Sequence, residues 1–287
     1  MFPHHKPFPI PVRAFGPGNH SDEEPIDFLP MPREMSVYRP PVLPERQALA
    51  SLTDAIVVLH QVLGALRLLL TGAAAEPIEL GHLGEADRLL VNQLLGEGEV
   101  AAQVTGPDGV QAQESVFAGV WRVVYREGGA VVRDTIEVGA FPRAVAVAAR
   151  NGGGAIAPLP ERLPGDTMNA PAVLAELRER SLAWRDGDPS HVVNLSLLPL
   201  SPGDGHLFEQ LLGRGQVLIL SRGYGNCRIV NTRAAHIWRV SYFNSQDMVI
   251  LDTLEVSDVP EVACAAVQDL EDSVERVTEV LQWVEAS

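Results

Sequence analysis

The chain offers few residues whose type and spacing could do chemistry. Cys227 and Cys264 lie 37 positions apart, which is neither a zinc-ligand spacing nor a disulfide framework. His4-His5 form a pair in a proline-rich leader and make a poor metal site by themselves. The sequence has no HExxH, no GxxxxGK phosphate loop and no GxSxG nucleophile elbow. Gly213-x-Gly215 follows a helical pattern, not a strand, so it is a cap and turn, not a dinucleotide fingerprint. Asp134 with Asp252, and Glu137 with Glu255, recur at matching places in two similar stretches. A polar residue kept in two diverged copies serves the fold more readily than a single active site. Arg122 and Arg239 are expected to pair across strands with Glu137 and Glu255, each pair worth roughly 0.2–1 kcal/mol. No catalytic residue, cofactor or metal ligand is therefore assigned from these residues.

The elements that carry these residues are set by an internal duplication. Residues 223–256 are the clearer copy and 106–138 a worn one, with VWRVVY at 120–125 facing IWRVSY at 237–242. Gln93 and Gln210 are 117 apart, as are Trp121 and Trp238, whereas Asp134 and Asp252 are 118 apart. The single added residue falls where Gly128-Gly129 faces 244–247, a hairpin loop that tolerates insertion; inside a strand it would flip every side chain.

Each copy reads as β-α-β-β-β-α. The expected fold is α+β: two tandem two-layer sandwich domains with mostly antiparallel sheets, plus an N-terminal helix and a proline-rich tail. In the first copy strands are expected at 78–80, 99–104, 115–125 and 130–138, with helices at 85–95 and 143–149. The second copy has strands at 191–198 and 216–221 and a helix at 202–212. Trp238, Val240 and Tyr242 should share one strand face and Ile237, Arg239, Ser241 and Phe243 the other. Both tryptophans are expected in the core.

Residues 1–44 hold 11 of the 22 prolines and read as an extended tail. From 45, leucines and Ile56 step by three and four to Leu70, a heptad seam expected to cover the first sheet. His60, beside that seam, reads as an exposed helix histidine. The domains are then 45–150 (helix and first copy), 151–190 (linker with a helix at 170–184) and 191–287 (second copy). A long last helix from Pro260 is expected to close the second copy. Its outer faces are acidic: residues 258–287 hold eight Asp/Glu against Arg276, which is −7 of the net −15.

That charge argues against nucleic-acid backbones and anionic membranes as partners. The apolar stretch 56–70 is short and carries His60, Gln61 and Arg67, so no membrane insertion is expected. The leader has no apolar run of a signal peptide, and a cytoplasmic setting fits the two isolated cysteines.

The copies differ most where 223–228 (GYGNCR) replaces 106–111 (GPDGVQ) and where Phe243-Asn244-Ser245 replaces Arg126-Glu127. Aromatic, amide and thiol groups on a glycine-flexed loop suit a partner surface. A tight turn with a simply buried Cys227 is the plain alternative. Candidate partner-binding residues are Tyr224, Asn226, Cys227, Arg228, Phe243 and Asn244, with Glu271, Asp272, Glu275 and Glu279 on the acidic helix.

The segments GYGNCRI (223–229), WRVSYFNS (238–245), LDTLEV (251–256), VPEVACAA (259–266) and MNAPAVLAELRER (168–180) resemble the hydrogenase expression/formation family of HupH/HyaF type. The GVWRV and DTIEV of the first copy fit the same pattern, and the resemblance spans about residues 77–287. It implies a non-catalytic accessory protein or chaperone in [NiFe]-hydrogenase maturation. It further implies action on the iron–sulfur small subunit, with its twin-arginine leader, beside a thioredoxin-like companion. The alternative is a redox or metal-handling assembly factor using Cys227.

Overall fold

The computed structural model describes residues 52–223 and 225–286. The proline-rich tail, the first turns expected for the leading helix and Tyr224 lie outside the described residues. Ten strands form one sheet in the order β1-β5-β4-β3-β2-β7-β8-β9-β10-β6, with every neighbouring pair antiparallel. The first copy supplies β1 (Ile78–Glu79), β2 (Val100–Val104), β3 (Val110–Glu114), β4 (Val120–Glu127) and β5 (Ala130–Val138). The second supplies β6 (His191–Asn194), β7 (Val217–Ser221), β8 (Asn226–Asn231), β9 (Ile237–Phe243) and β10 (Val249–Val256). Two separate sandwiches were expected. Instead β2 and β7 pair over Val100↔Ser221 to Val104↔Val217 and fuse the two half-sheets.

Each copy has five strands, one more than its sequence pattern indicates. Residues 115–119 looked like the start of a long strand but form the turn between β3 and β4, closed by Ser115 N–H to Val120 O at 2.8 Å. Gly119 turns there with φ of 77°, and a Cβ on it would collide with Leu270. Its counterpart is His236, a non-glycine residue held at φ 60°. The turn is thus a fixed property of the duplicated unit, and glycine is not required in both copies.

Helices lie on both faces. Val120 and Trp121 are adjacent in β4 and enter different cores, as strand alternation requires. Trp121, Val123, Trp238, Val240 and Cys227 face α3 (Arg143–Asn151) and a 3-10 turn at Glu261–Ala263. On the opposite face α1 (Thr53–Leu70) and α2 (Glu85–Leu95) cover the first half. There α4 (Ala170–Ala183) and α5 (Pro202–Leu212) cover the second. The coverage expected of the leading helix is found, with Leu59, Leu63 and Leu66 buried. It is long and apolar enough to cross a membrane by length and composition, and here it is a core helix.

The last helix does not close the second copy. It begins at Val267, as α6 (Val267–Glu285), and packs along α1 over the first half-sheet. After β10 the chain crosses the tryptophan face, where Ser221 Oγ donates to Val262 O, and Ala265 N–H then bonds Ala140 O at the foot of β5. The physical cause is α1 itself. Its apolar residues extend around more than one face, so the sheet alone cannot bury them. In the second half α4 occupies the equivalent place, exposes Glu176, Arg178, Glu179 and Arg180, and needs no further cover.

Both copies anchor their first helix in one way. Asp87 and Asp204 stand at the same place in α2 and α5, 117 apart. Asp87 accepts the Ala55 N–H of α1 at 3.0 Å. Asp204, fully buried, accepts the N–H groups of Met168, Asn169 and Ala170 at the start of α4, and that of Ser201 in a capping box.

Candidate functional site

The strand pairings define one transverse row: Trp121, Glu114, Val100, Ser221, Cys227, Tyr242, Leu251. At this end of the sheet the second copy projects its β9–β10 hairpin. Asn226 pairs with Phe243, and Phe243 with Val249. Arg228 lies over the Phe243 ring at 5.3 Å, on the face that carries α5. Asn226, Arg228, Phe243 and Asn244 are therefore brought together, all half-buried. The Asn244 side chain is committed to the turn, with Oδ1 accepting the N–H groups of Gln246 at 2.9 Å and Met248 at 3.0 Å.

Cys227 is not part of that surface. It sits one residue out of phase, on the tryptophan face, and is fully buried. Burial, with the neighbouring Glu255 charge, pushes its thiol up to about 12. Burial, then the Asp258, Glu261 and Glu114 charges, does the same for Cys264. Among the described residues no group of three or more His, Cys, Asp or Glu side chains converges on a metal position.

The expected Arg–Glu pairs are corrected by the same parity. Trp121 stands opposite Glu137 and Trp238 opposite Glu255, so the glutamates share the tryptophan face and the arginines point the other way. Arg122 instead grips Asp134 with two bonds, at 3.1 and 2.7 Å, and Arg239 grips Asp252 likewise. Glu137 accepts from the Tyr125 hydroxyl and the Arg143 N–H. Glu255 accepts from Thr253.

Glu114 is the other buried carboxyl of that face. Burial, with Glu99 and Asp269 nearby, raises it to about 7 against the Gly119 N–H that it accepts. Its counterpart in the second copy is the neutral Asn231, which accepts the Val217 N–H at 2.8 Å. Stability tied to Glu114 is full below the unfolded carboxylate range and falls as pH rises towards 7, because the folded state holds the proton more tightly. Glu114→Gln is thus expected to stabilise the protein by about 2–3 kcal/mol at pH 8 and hardly at all at pH 4. Thermal melts of both proteins across that range check this, and an equal shift at both pH values would refute it.

Glu271, Asp272, Glu275 and Glu279 are all exposed on α6. They lie on the first half, and the hairpin lies on the second. Leu270 reaches the foot of β4, six strands from β10 in the sheet order, or about 30 Å at ~4.8 Å per strand. Acidic helix and hairpin share one end of the sheet and the face opposite the tryptophans, but they are two surfaces. Residues missed from sequence complete the second: Met248, Val249 and Ile250 are 56, 51 and 62% exposed and Leu197 79%. The pattern was present, since Val131-Val132 stand at the matching positions of the first copy, but these residues read as ordinary strand.

Comparison with known proteins gives the class. Residues 52–164 and again 167–284 match the HupH hydrogenase expression protein, C-terminal conserved region. The chain is 52% identical to the hydrogenase expression/formation protein HoxQ of Cupriavidus necator, over 96% of this chain and 98% of that protein. It is 46% identical to HupQ of Azotobacter chroococcum, covering 95% and 96% of the two chains. It is 31% identical to the hydrogenase-1 operon protein HyaF of Escherichia coli, covering 94% and 95%. The chain belongs to the HupH hydrogenase expression protein family, and its two matched segments are the two halves of the sheet.

Proposed function

We infer that this protein is a cytoplasmic, non-catalytic accessory factor of hydrogenase formation that holds the iron–sulfur small subunit before export. Family membership supports the hydrogenase role. The observation that carries the holding role is the pair of surfaces at one end of the sheet, one acidic and one apolar. A leader with a basic start and an apolar middle matches them in order. The acidic face of α6 attracts the basic start over roughly a Debye length, ~8 Å at physiological salt. Such charge sets encounter rate and partner choice more than affinity. The hairpin with Phe243 supplies an apolar anchor. A thioredoxin-like companion would act beside this complex. The metal or redox reading through Cys227 draws no support from a fully buried, protonated thiol, since the thiolate is the ligand and nucleophile.

Neutralising Glu271, Asp272, Glu275 and Glu279 to Gln or Asn is expected to slow client association about tenfold at low salt and to flatten its salt dependence. Stopped-flow binding of the small subunit at several salt concentrations measures this. An unchanged on-rate and salt slope would remove α6 as the recognition surface.

A further inference from the structure

The two copies carry the same hairpin but guard it differently. In each, one residue bulges out of the last strand, between Arg133 and Val131 in the first copy and between Leu251 and Val249 in the second. In each, the outer edge of that strand outruns its neighbour. β1 pairs with Thr135 and Ile136, with Leu80 N–H adding one bond to Asp134 O, and β6 stops at Asn194 opposite Thr253. A free edge with exposed apolar residues invites another strand, and proteins blunt such edges with charge.

The first copy is blunted. Arg133 forms an ion pair with Glu79 across the edge, and Arg126 bonds Gln111 and Gly129 O. In the second copy Leu251 replaces Arg133, Phe243 replaces Arg126 and Asn244 replaces Glu127. Beyond Asn194 no strand continues along this edge among the described residues; the 3-10 turn Leu195–Leu197 lies against β10 there, and Ser196 Oγ accepts the Asp252 N–H at 2.8 Å. Leu197, Met248, Val249 and Ile250 stand exposed around it. Residues 244–252 carry two acids and no Lys or Arg; Asp252 is gripped by Arg239, and Asp247 stands exposed in the hairpin turn.

We propose that the outer edge of β10, from Val249 to Leu251, is a strand-addition site for an extended apolar segment flanked by basic residues. Main-chain hydrogen bonds would continue the sheet, Ile250 and Leu197 would cover alternate apolar side chains, and Asp247 favours a cationic flank. This rests on the client reading above, and assigns the apolar part of the client's leader to β10 while the basic start meets α6. About nine extended residues span the ~30 Å between the surfaces.

The test uses the full chain and a synthetic peptide with an arginine pair ahead of valines, leucines and threonines. Peptide affinity is read by fluorescence anisotropy, and protection of the 249–251 amides by hydrogen exchange. Restoring the first copy's guard with Leu251→Arg and Asn194→Glu, or placing one charge with Ile250→Lys, should weaken the peptide at least about tenfold. N-methylating alternate peptide bonds in one phase should do the same, and in the other phase should not. A thermal melt matching the parent shows that each variant is folded. Equal binding by the guarded variants or by both methylated peptides overturns the proposal, as does concentration-dependent dimerisation that Ile250→Lys abolishes. The two readings fail separately. Small-subunit capture that survives Leu251→Arg with Asn194→Glu rejects the β10 site alone. Peptide bound at β10 by a chain that never captures the small subunit rejects the client.

Discussion

Trp238→Ala is expected to lower the thermal midpoint by on the order of 10 °C, through a loss of about 3–5 kcal/mol. Trp238 is 1% exposed, in the core between the sheet and the 259–263 crossing. Its indole N–H donates to Ser257 O at 3.3 Å and Asp258 O at 3.2 Å, which fixes the chain as it leaves β10. Removing the ring leaves a cavity in the core that it shares with Ile229, Val240 and Val262 and frees the segment that leads to α6. Trp121→Ala should cost as much, because Trp121 is also buried and its N–H holds Gly139 O at 3.0 Å at the matching position. Trp238→Phe keeps most of the volume and should lose only about 1–2 kcal/mol, chiefly the hydrogen bonds and a smaller cavity. A calorimetric scan with an unmoved midpoint in Trp238→Ala would show that the core is not built around this pair.

Asp204→Ala is expected to cost about 2–4 kcal/mol, two helix caps at up to ~2 kcal/mol each. One carboxylate serves the starts of both α4 and α5. Burial alone would raise its pKa, but the N–H groups of Ser201, Ala170, Met168 and Asn169 outweigh burial and hold it well below the usual carboxylate range. The stabilisation is therefore present above the unfolded carboxylate pKa and lost as pH falls towards the folded one. Urea titrations should show a constant gap between Asp204→Ala and the parent from pH 5 to 8, narrowing below about pH 4. A gap that widens in acid would mean that the carboxylate is not the stabilising species. Asp204→Asn, which keeps one acceptor oxygen, should fall between the two.

The duplication was fully legible in the sequence, because identical strand segments at a constant offset leave few other readings. It located the equivalent tryptophans, the alternation of 237–243 and the hairpin loops. It also led to the family, through long segments such as GYGNCRI and LDTLEV. The extra strand β3 was hidden because Val110–Glu114 carries three polar residues in five while Val116 and Phe117 read as strand, and only the pairing of β3 with β4 shows that 115–119 turn. The Arg–Glu pairing failed by one residue of register, which sequence spacing across a hairpin with a bulge does not fix.

The sequence by itself determined the unit, its two copies, its acidic last helix and the family. Only the tertiary structure decided how the copies join. Which two edges join carries no side-chain signature here, since the β2–β7 pairing is made by backbone groups that every residue has. The destination of α6 was likewise decided by what α1 leaves uncovered, a property of three packed elements and not of one. The edge of β10 that no described strand covers follows the same rule. Val131-Val132 and Val249-Ile250 are alike in sequence, and only the placement of Arg133 against Glu79 shows which edge is closed.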